Sequence, residues 1–242
     1  MQATGPLPFT VLYRDNRFVV LDKPPGLPVH PGRKGGASIE DWFPLISRHR
    51  NGPWLAHRLD QDTAGCLVVA LRKQALVAAQ GCFAAGRARK TYWAIVNGAP
   101  AGLSGVVKAP LGRVEEGGQW RMQANAPGAQ PARTRWRVLG QGRDATGAPI
   151  SWLELVLETG RTHQARAHCA LLGCPIRGDG RYGAPGPGAL HLMSRGILLP
   201  LDPPVRALAP PPDHMRHIMA EAGWVVPPAN VEKETARCSP IL

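Results

Sequence analysis

A chain of 242 residues with 44% hydrophobic content and a formal net charge of +12 can bury one substantial core, most simply as one domain of one or two lobes. No apolar run approaches the roughly 18 residues that a membrane span needs. The first ten residues lack the basic start and apolar stretch of a signal peptide, so the sequence reads as cytoplasmic, with no membrane partner. The five cysteines, Cys66, Cys82, Cys169, Cys174 and Cys238, are odd in number and make no C-x-x-C pair, which argues against a disulfide framework or a structural zinc site. The positive charge comes mainly from arginines spread along the chain. Arginine binds phosphate in a planar fork and stacks on bases, so this excess over 17 acidic residues points to nucleic acid. A codon bias toward Arg, Ala, Gly and Pro explains arginine in place of lysine, but not the excess itself.

The pattern predicts two short strands, Thr10–Tyr13 and Phe18–Asp22, around a polar turn. The following Lys23–Gly32 is too proline-rich for helix and takes an extended course; Lys23 and His30 read first as parts of a rigid loop and second as RNA contacts. Ser38–Asp41 has the form of a capping box, predicting a short helix over 41–48. Then comes His57-Arg58-Leu59-Asp60-Gln61-Asp62-Thr63-Ala64-Gly65, a polar turn that feeds the apolar strand Cys66–Leu71. A carboxylate there sits on a rigid edge beside the core, where a reactive group can be held still; a solvated surface turn is the alternative. Lys73–Ala85 is an amphipathic helix stopped by Gly86.

A basic knot at 87–90 leads into an alternating strand over 91–98, in which Tyr92 by itself reads as an ordinary strand aromatic. Between 101 and 150 only short strands are expected, at 106–108, 119–123 and 133–139. Arg113, Arg121, Arg133, Arg135 and Arg137 make this stretch either an RNA-facing surface or a solvated strand face. Ser151–Glu158 is a strong strand, and Thr162–Leu172 a helix with Gly173 as its stop. Residues 203–210 read as extended and 213–222 as a short helix. The expected organisation is an N-terminal extension (1–9), one main domain (10–225) and a flexible tail (226–242).

Several of these segments together resemble one family. The nonamer at 57–65 is similar to the H-R-L-D-x-x-T-S-G signature of RluA-type RNA pseudouridine synthases, with Ala64 in place of Ser. Residues 23–32 resemble the family's N-K-P-x-G-L-x-x-H-P-G segment, and 90–98 its K-x-Y-x-A-x-V-x-G. Thr159-Gly160-Arg161-Thr162-His163-Gln164-Ala165-Arg166 is close to T-G-R-T-H-Q-I-R, with Ala165 where a larger apolar residue is usual. Residues 173–183 resemble G-x-P-I-x-G-D-x-x-Y-G, and 190–192 the L-H-A strand. The resemblance spans about residues 10–205 in the family's order. It implies an α+β fold with a mixed, mostly antiparallel central sheet, flanking helices and loops, and an active-site cleft across the sheet.

The activity implied is isomerisation of a uridine in tRNA or large-subunit rRNA to pseudouridine, with no cofactor and no metal. Asp60 takes the catalytic role, either as nucleophile or as the base that begins elimination. A carboxylate held against an apolar strand must stay ionised, which calls for a fixed cation; the family's pattern makes this Arg166, which cannot lose its charge. Tyr92 becomes the active-site tyrosine, stacking on a uracil flipped out of the RNA. Arg58, His57, Thr63, Arg161, His163, Gln164 and Leu190 are assigned to RNA binding, although His163 equally suits a role in holding loops together. A kinase H-R-D loop is rejected because no D-F-G follows, and a hydrolase because neither H-x-x-E-H nor G-x-S-x-G occurs. The remaining alternative is an inactive RNA-binding protein on the same fold. Monomer is the simplest expectation.

Overall fold

A computed structural model describes residues 6–32, 35–48, 51–183 and 188–227. Most of the expected C-terminal tail, and the first five residues of the N-terminal extension, lie outside the described residues. The chain divides into two units: residues 1–88, 194–212 and 225–242 in the first, and 89–193 with 213–224 in the second.

In the first unit, β1 (Thr10–Arg14) and β2 (Phe18–Lys23) form an antiparallel hairpin. Asp15 builds its turn: the carboxylate accepts the backbone N–H groups of Arg17 at 2.7 Å and Phe18 at 2.6 Å. The expected capping device is present, with the Asp41 carboxylate accepting the Ser38 N–H at 2.7 Å. It starts a 3-10 turn over Ile39–Trp42, then α1 (Phe43–Ile46). The helix expected over 41–48 is thus shorter, because Ser47 turns to extended backbone with φ −149°. β3 (Trp54–Leu55) pairs with β4 (Ala64–Ala70), which also pairs with β2 from Phe18↔Ala70 to Lys23↔Gly65. All seven residues of β4 are buried, which is why its sequence is an apolar run rather than an alternation. α2 (Lys73–Ala84) follows, and Gly86, at φ +66°, leads the chain away after its C-cap.

The second unit opens with β5 (Arg89–Asn97), β6 (Ser104–Lys108), β7 (Leu111–Glu116), β8 (Gln119–Ala124), β9 (Arg133–Arg143) and β10 (Pro149–Leu157). β5, β10, β9 and β6 lie side by side in that order, all antiparallel. β7 and β8 form a separate hairpin. β7 was not expected from sequence. Its residues alternate weakly, and it is fixed by its partner and by Gly117 and Gly118, whose φ values of +58° and +75° suit the tight turn between them. β9 runs four residues past its expected end, through two glycines that read as a stop. The Trp224 ring covers Gly140 so closely that a Cβ there would lie 2.8 Å from it. Trp224 in turn stacks on Trp152, and Trp152 meets Trp93 edge-on at 4.7 Å.

α3 (Gln164–Leu171) starts two residues later than expected, because His163 occupies the left-handed region at φ +52°. β11 (Leu192–Leu199) carries the chain back to the first unit, where it pairs antiparallel with β12 (Val205–Leu208). The residues 190–191 expected to be strand precede it. α4 (Asp213–Glu221) closes the second unit, burying Met215 and Met219. No helix among the described residues is long and apolar enough to cross a membrane. The elements are those of an α+β fold with mostly antiparallel strands.

Candidate active site

The nonamer forms the approach to β4. Thr63 donates its N–H to the Asp60 carbonyl at 3.1 Å, closing the turn, and its side chain is buried. Leu59 is buried under the loop while Arg58, Gln61 and Asp62 are exposed and Asp60 is half-buried. Alternate anchoring and exposure hold the Asp60 backbone still and leave its side chain at the edge of the core. His57 is engaged in the frame: its Nε2 accepts the Val68 N–H at 3.0 Å, and its ring packs on Phe83. Gly65 has φ +98°, and a Cβ there would stand 2.2 Å from the Ser194 carbonyl oxygen. Only glycine lets β11 come that close.

Beneath this loop lies a residue whose importance the sequence did not disclose. Lys23 is fully buried, and its Nζ donates to the carbonyls of Pro24, Leu27 and Gln61 at 2.8, 2.8 and 2.7 Å. Gln61 also returns to the proline-rich segment, since its carbonyl accepts the Gly26 N–H at 3.0 Å. The ammonium therefore ties the 23–28 segment to the turn that carries Asp60. Burial pulls its pKa down to about 8, and the carboxylates of Asp62 and Asp60 oppose that fall. At neutral pH it remains a cation beside the candidate catalytic carboxylate. A lysine at the end of an apolar strand was the signal, but an extended strand end equally suits an exposed lysine. His30 stays at the surface, 2.9 Å from Glu40.

In the second unit, Tyr92 sits within β5 opposite Leu155, with its side chain buried. Gln164 knots the loop ahead of α3. Its Oε1 accepts from the Thr159 hydroxyl at 2.6 Å and the Arg161 N–H at 3.1 Å; its Nε2 donates to the Arg133 carbonyl and the Thr134 hydroxyl. With all four bonds made and 1% of its surface exposed, Gln164 acts on the loop's shape. Arg161 reaches the Pro131 carbonyl at 3.0 Å and Gln130 at 2.7 Å.

Arg166 is 8% exposed and forks onto Asp179, with Nε and one Nη at 2.8 and 2.7 Å from the two carboxylate oxygens. Asp179 is the carboxylate of the 173–183 segment and was not singled out from the sequence. Burial raises its pKa, but the Arg166 guanidinium and the N–H groups of Arg181 and Tyr182 outweigh this and hold it below the usual range. The other Nη of Arg166 faces His163 Nε2 at 3.5 Å. His163 Nδ1 lies 3.0 Å from the Tyr182 hydroxyl, which accepts the Met122 N–H at 2.8 Å. Trp120 of β8 stacks on the imidazole, at 4.8 Å between ring centres. His163 thus links the β7–β8 hairpin to the guanidinium. Gly178, at φ +76°, lies where a Cβ would be 2.1 Å from the Ala189 carbonyl oxygen. This close approach brings the segment before β11 onto the Asp179 turn. Leu190 is buried there, and its carbonyl faces His214 Nε2 at 3.1 Å.

The arginines of β9 are largely matched. Arg133 and Arg135 pair with Glu158 at 2.7 and 2.8 Å, and Arg137 with Glu154 at 2.7 Å. This row is a strand face with local counter-charges rather than an open basic stripe. Among the described residues, no group of three or more His, Cys, Asp or Glu side chains is placed to hold a metal ion.

A family model described as RNA pseudouridylate synthase matches residues 17–171. An uncharacterized RNA pseudouridine synthase of Synechocystis is 35% identical over 233 residues, covering 88% of this chain and 68% of its own length. The RNA pseudouridine synthase YhcT of Bacillus subtilis is 34% identical, over 78% of this chain and 61% of its own. Among solved structures, human RNA Pseudouridylate Synthase Domain Containing 1 matches with a TM-score of 0.79 and 25% identity, across 99% of both chains. Human RNA Pseudouridylate Synthase Domain Containing 4 gives 0.74 and 28%, over 90% of this chain and 94% of its own. With the signature loop, the Tyr92 strand and the Arg166 helix each in the setting described above, the chain belongs to the RluA-type RNA pseudouridine synthases, isomerases that convert uridine in RNA to pseudouridine.

Proposed function

We propose that this enzyme isomerises a specific uridine of tRNA or large-subunit rRNA, with Asp60 as its catalytic residue. The observation that carries the assignment is the Asp60 turn: its backbone is fixed through Thr63, Gln61 and the buried Lys23 ammonium, while the side chain stays half-exposed at the core's edge. Such a carboxylate keeps its geometry without reorganising when substrate arrives. In this reading the target uridine is flipped out of the folded RNA. Asp60 either attacks C1′, to be displaced from it when C5 bonds there, or removes the C2′ proton and returns it after C5 has added; in both cases the N1–C1′ bond breaks, the uracil anion turns, and C5 bonds to C1′. The C5 proton then leaves as N1 takes one up, giving the neutral base.

Tyr92 supplies a ring for the uracil and a hydroxyl for proton removal at C5. Arg166, its plane set by Asp179 and His163, serves as the fixed cation of the catalytic machinery. Arg58, exposed on the same turn, contacts the RNA, and Arg161 lies on the loop before α3. His57, Thr63, Gln164 and His163 serve binding by holding those loops in shape. The reading places a monomer in the cytoplasm.

The test is tritium release from RNA labelled at uridine C5, using unmodified tRNA and large-subunit rRNA separately. Release by the wild type but not by Asp60→Asn, with RNA affinity of the variant within a few-fold, is the expected result. Turnover by Asp60→Asn removes that residue from its role. Binding of both RNAs by the wild type without release from either would favour an inactive binding protein.

A further inference from the structure

The first unit carries a second basic feature that the catalytic assignment leaves unused. A surface cleft of about 660 Å³ lies between the turn of the β1–β2 hairpin, the end of α1 and the junction of β4 with α2. Each of these three segments contributes one arginine: Arg14, Arg48 and Arg72, all exposed. Arg14 also donates to the Ile46 carbonyl at 2.9 Å, which fastens the hairpin to the end of α1. Arg48 and Arg72 have no ion pair among the described residues. Asp15 is the one carboxylate among the cleft's lining residues, and its charge is spent on Arg17, Tyr13 and the turn amides. The lining between the arginines also includes Asn16, Ser47, Pro44 and Leu45; amide and hydroxyl groups of this kind commonly reach phosphate and sugar oxygens, while Pro44 and Leu45 carry no hydrogen-bonding side chain.

The place of the cleft in the fold gives it meaning. Arg72 follows the end of β4, whereas the Asp60 turn enters that strand at its beginning. From Gly65 to Leu71 at roughly 3.3 Å per residue, the two ends are about 20 Å apart. A polynucleotide with a uridine at Asp60 still has several nucleotides to place at that distance. Three arginines from separate segments, with Asp15, the carboxylate among the cleft's lining residues, already engaged, suit the part of RNA that repeats, its phosphate backbone.

We propose that the Arg14–Arg48–Arg72 cleft seats the phosphate backbone of the substrate RNA at a site remote from the chemistry. The proposal rests on the reading that Asp60 marks the position of the uridine. It makes affinity partly independent of the sequence around the target.

The test uses the full chain carrying Arg48→Gln and Arg72→Gln together, with Arg14 left in place because it holds the hairpin to α1. Binding to unmodified tRNA and to large-subunit rRNA is measured as a function of salt, beside tritium-release kinetics. Each lost phosphate contact flattens the slope of log K against log salt by roughly 0.7 to 0.9. The double variant should therefore bind about 15- to 30-fold more weakly at roughly 0.15 M salt, with KM raised and kcat unchanged. A double Arg→Lys variant should keep the wild-type slope, since it keeps the charge. Wild-type affinity and slope in the Gln pair overturn the proposal, as they would if the cleft served an acidic protein instead. A fall in kcat with KM unchanged also overturns it. The binding curves need no turnover, so failure of the wild type to release tritium would strike the catalytic reading and leave this one standing.

Discussion

Replacing Lys23 by Met tests whether the buried ammonium holds the candidate catalytic turn. Methionine keeps most of the length and the apolar stem, and removes only the charge and its three donors. Those donors reach the carbonyls of Pro24, Leu27 and Gln61, and each hydrogen bond from a charged group contributes about 1.5–3 kcal/mol. Against this gross gain stands the cost of burying the ammonium. A pKa pulled from 10.5 to about 8 corresponds to about 3 kcal/mol, a cost that Met does not carry. The Gln61 carbonyl keeps the Gly26 N–H, which softens its loss. The balance is a net destabilisation of about 3 kcal/mol, concentrated in the two segments that the lysine joins. Urea unfolding followed by tryptophan fluorescence gives the change in stability, and tritium release below the transition gives turnover. Turnover should fall by at least tenfold, because the Asp60 turn loses its tie. A stability change under about 1 kcal/mol with wild-type turnover would refute the view that Lys23 holds the site.

Arg166→Lys should lose most activity, because a point charge cannot fork onto both Asp179 oxygens and keep its remaining face fixed; near-normal rates in the tritium assay would dismiss the planar requirement. Gly65→Ala should fail to give stable protein, or lose about 4 kcal/mol or more, since a Cβ would meet the Ser194 backbone at 2.2 Å on a strand at φ +98°; thermal melting reads this directly. His191 supplies an acid sensitivity. Burial first, and the nearby His214 second, lower its pKa from 6.5 to about 4, so the fold favours the neutral ring. Its contribution is complete above about pH 6.5 and is lost as pH falls through 4, amounting to about 3 kcal/mol. Urea titrations between those values should show a smaller loss for His191→Gln than for the wild type; equal losses would remove His191 from the acid response.

The local and chemical content of this protein was legible in its sequence. The apolar run 66–71 could only be a buried strand, and the polar nonamer before it placed a carboxylate at the core's edge. The Asp15 turn, the capping device at Ser38 and the helix over 73–84 all follow from near neighbours, which sequence records faithfully. Partnership between distant segments was a different matter. Arg166 finds Asp179 thirteen residues on, Lys23 finds the Gln61 carbonyl across 38 residues, and neither spacing announces the contact. β7 exists because β8 lies beside it, and β9 passes its glycines because a tryptophan more than eighty residues later covers one of them. The three arginines of the cleft belong to different elements and form no run in the chain. Side-chain chemistry and short-range turns depend on residues a few positions apart, while burial, ion pairing and close backbone approach depend on which segments the folded chain brings together; only the tertiary structure decided those.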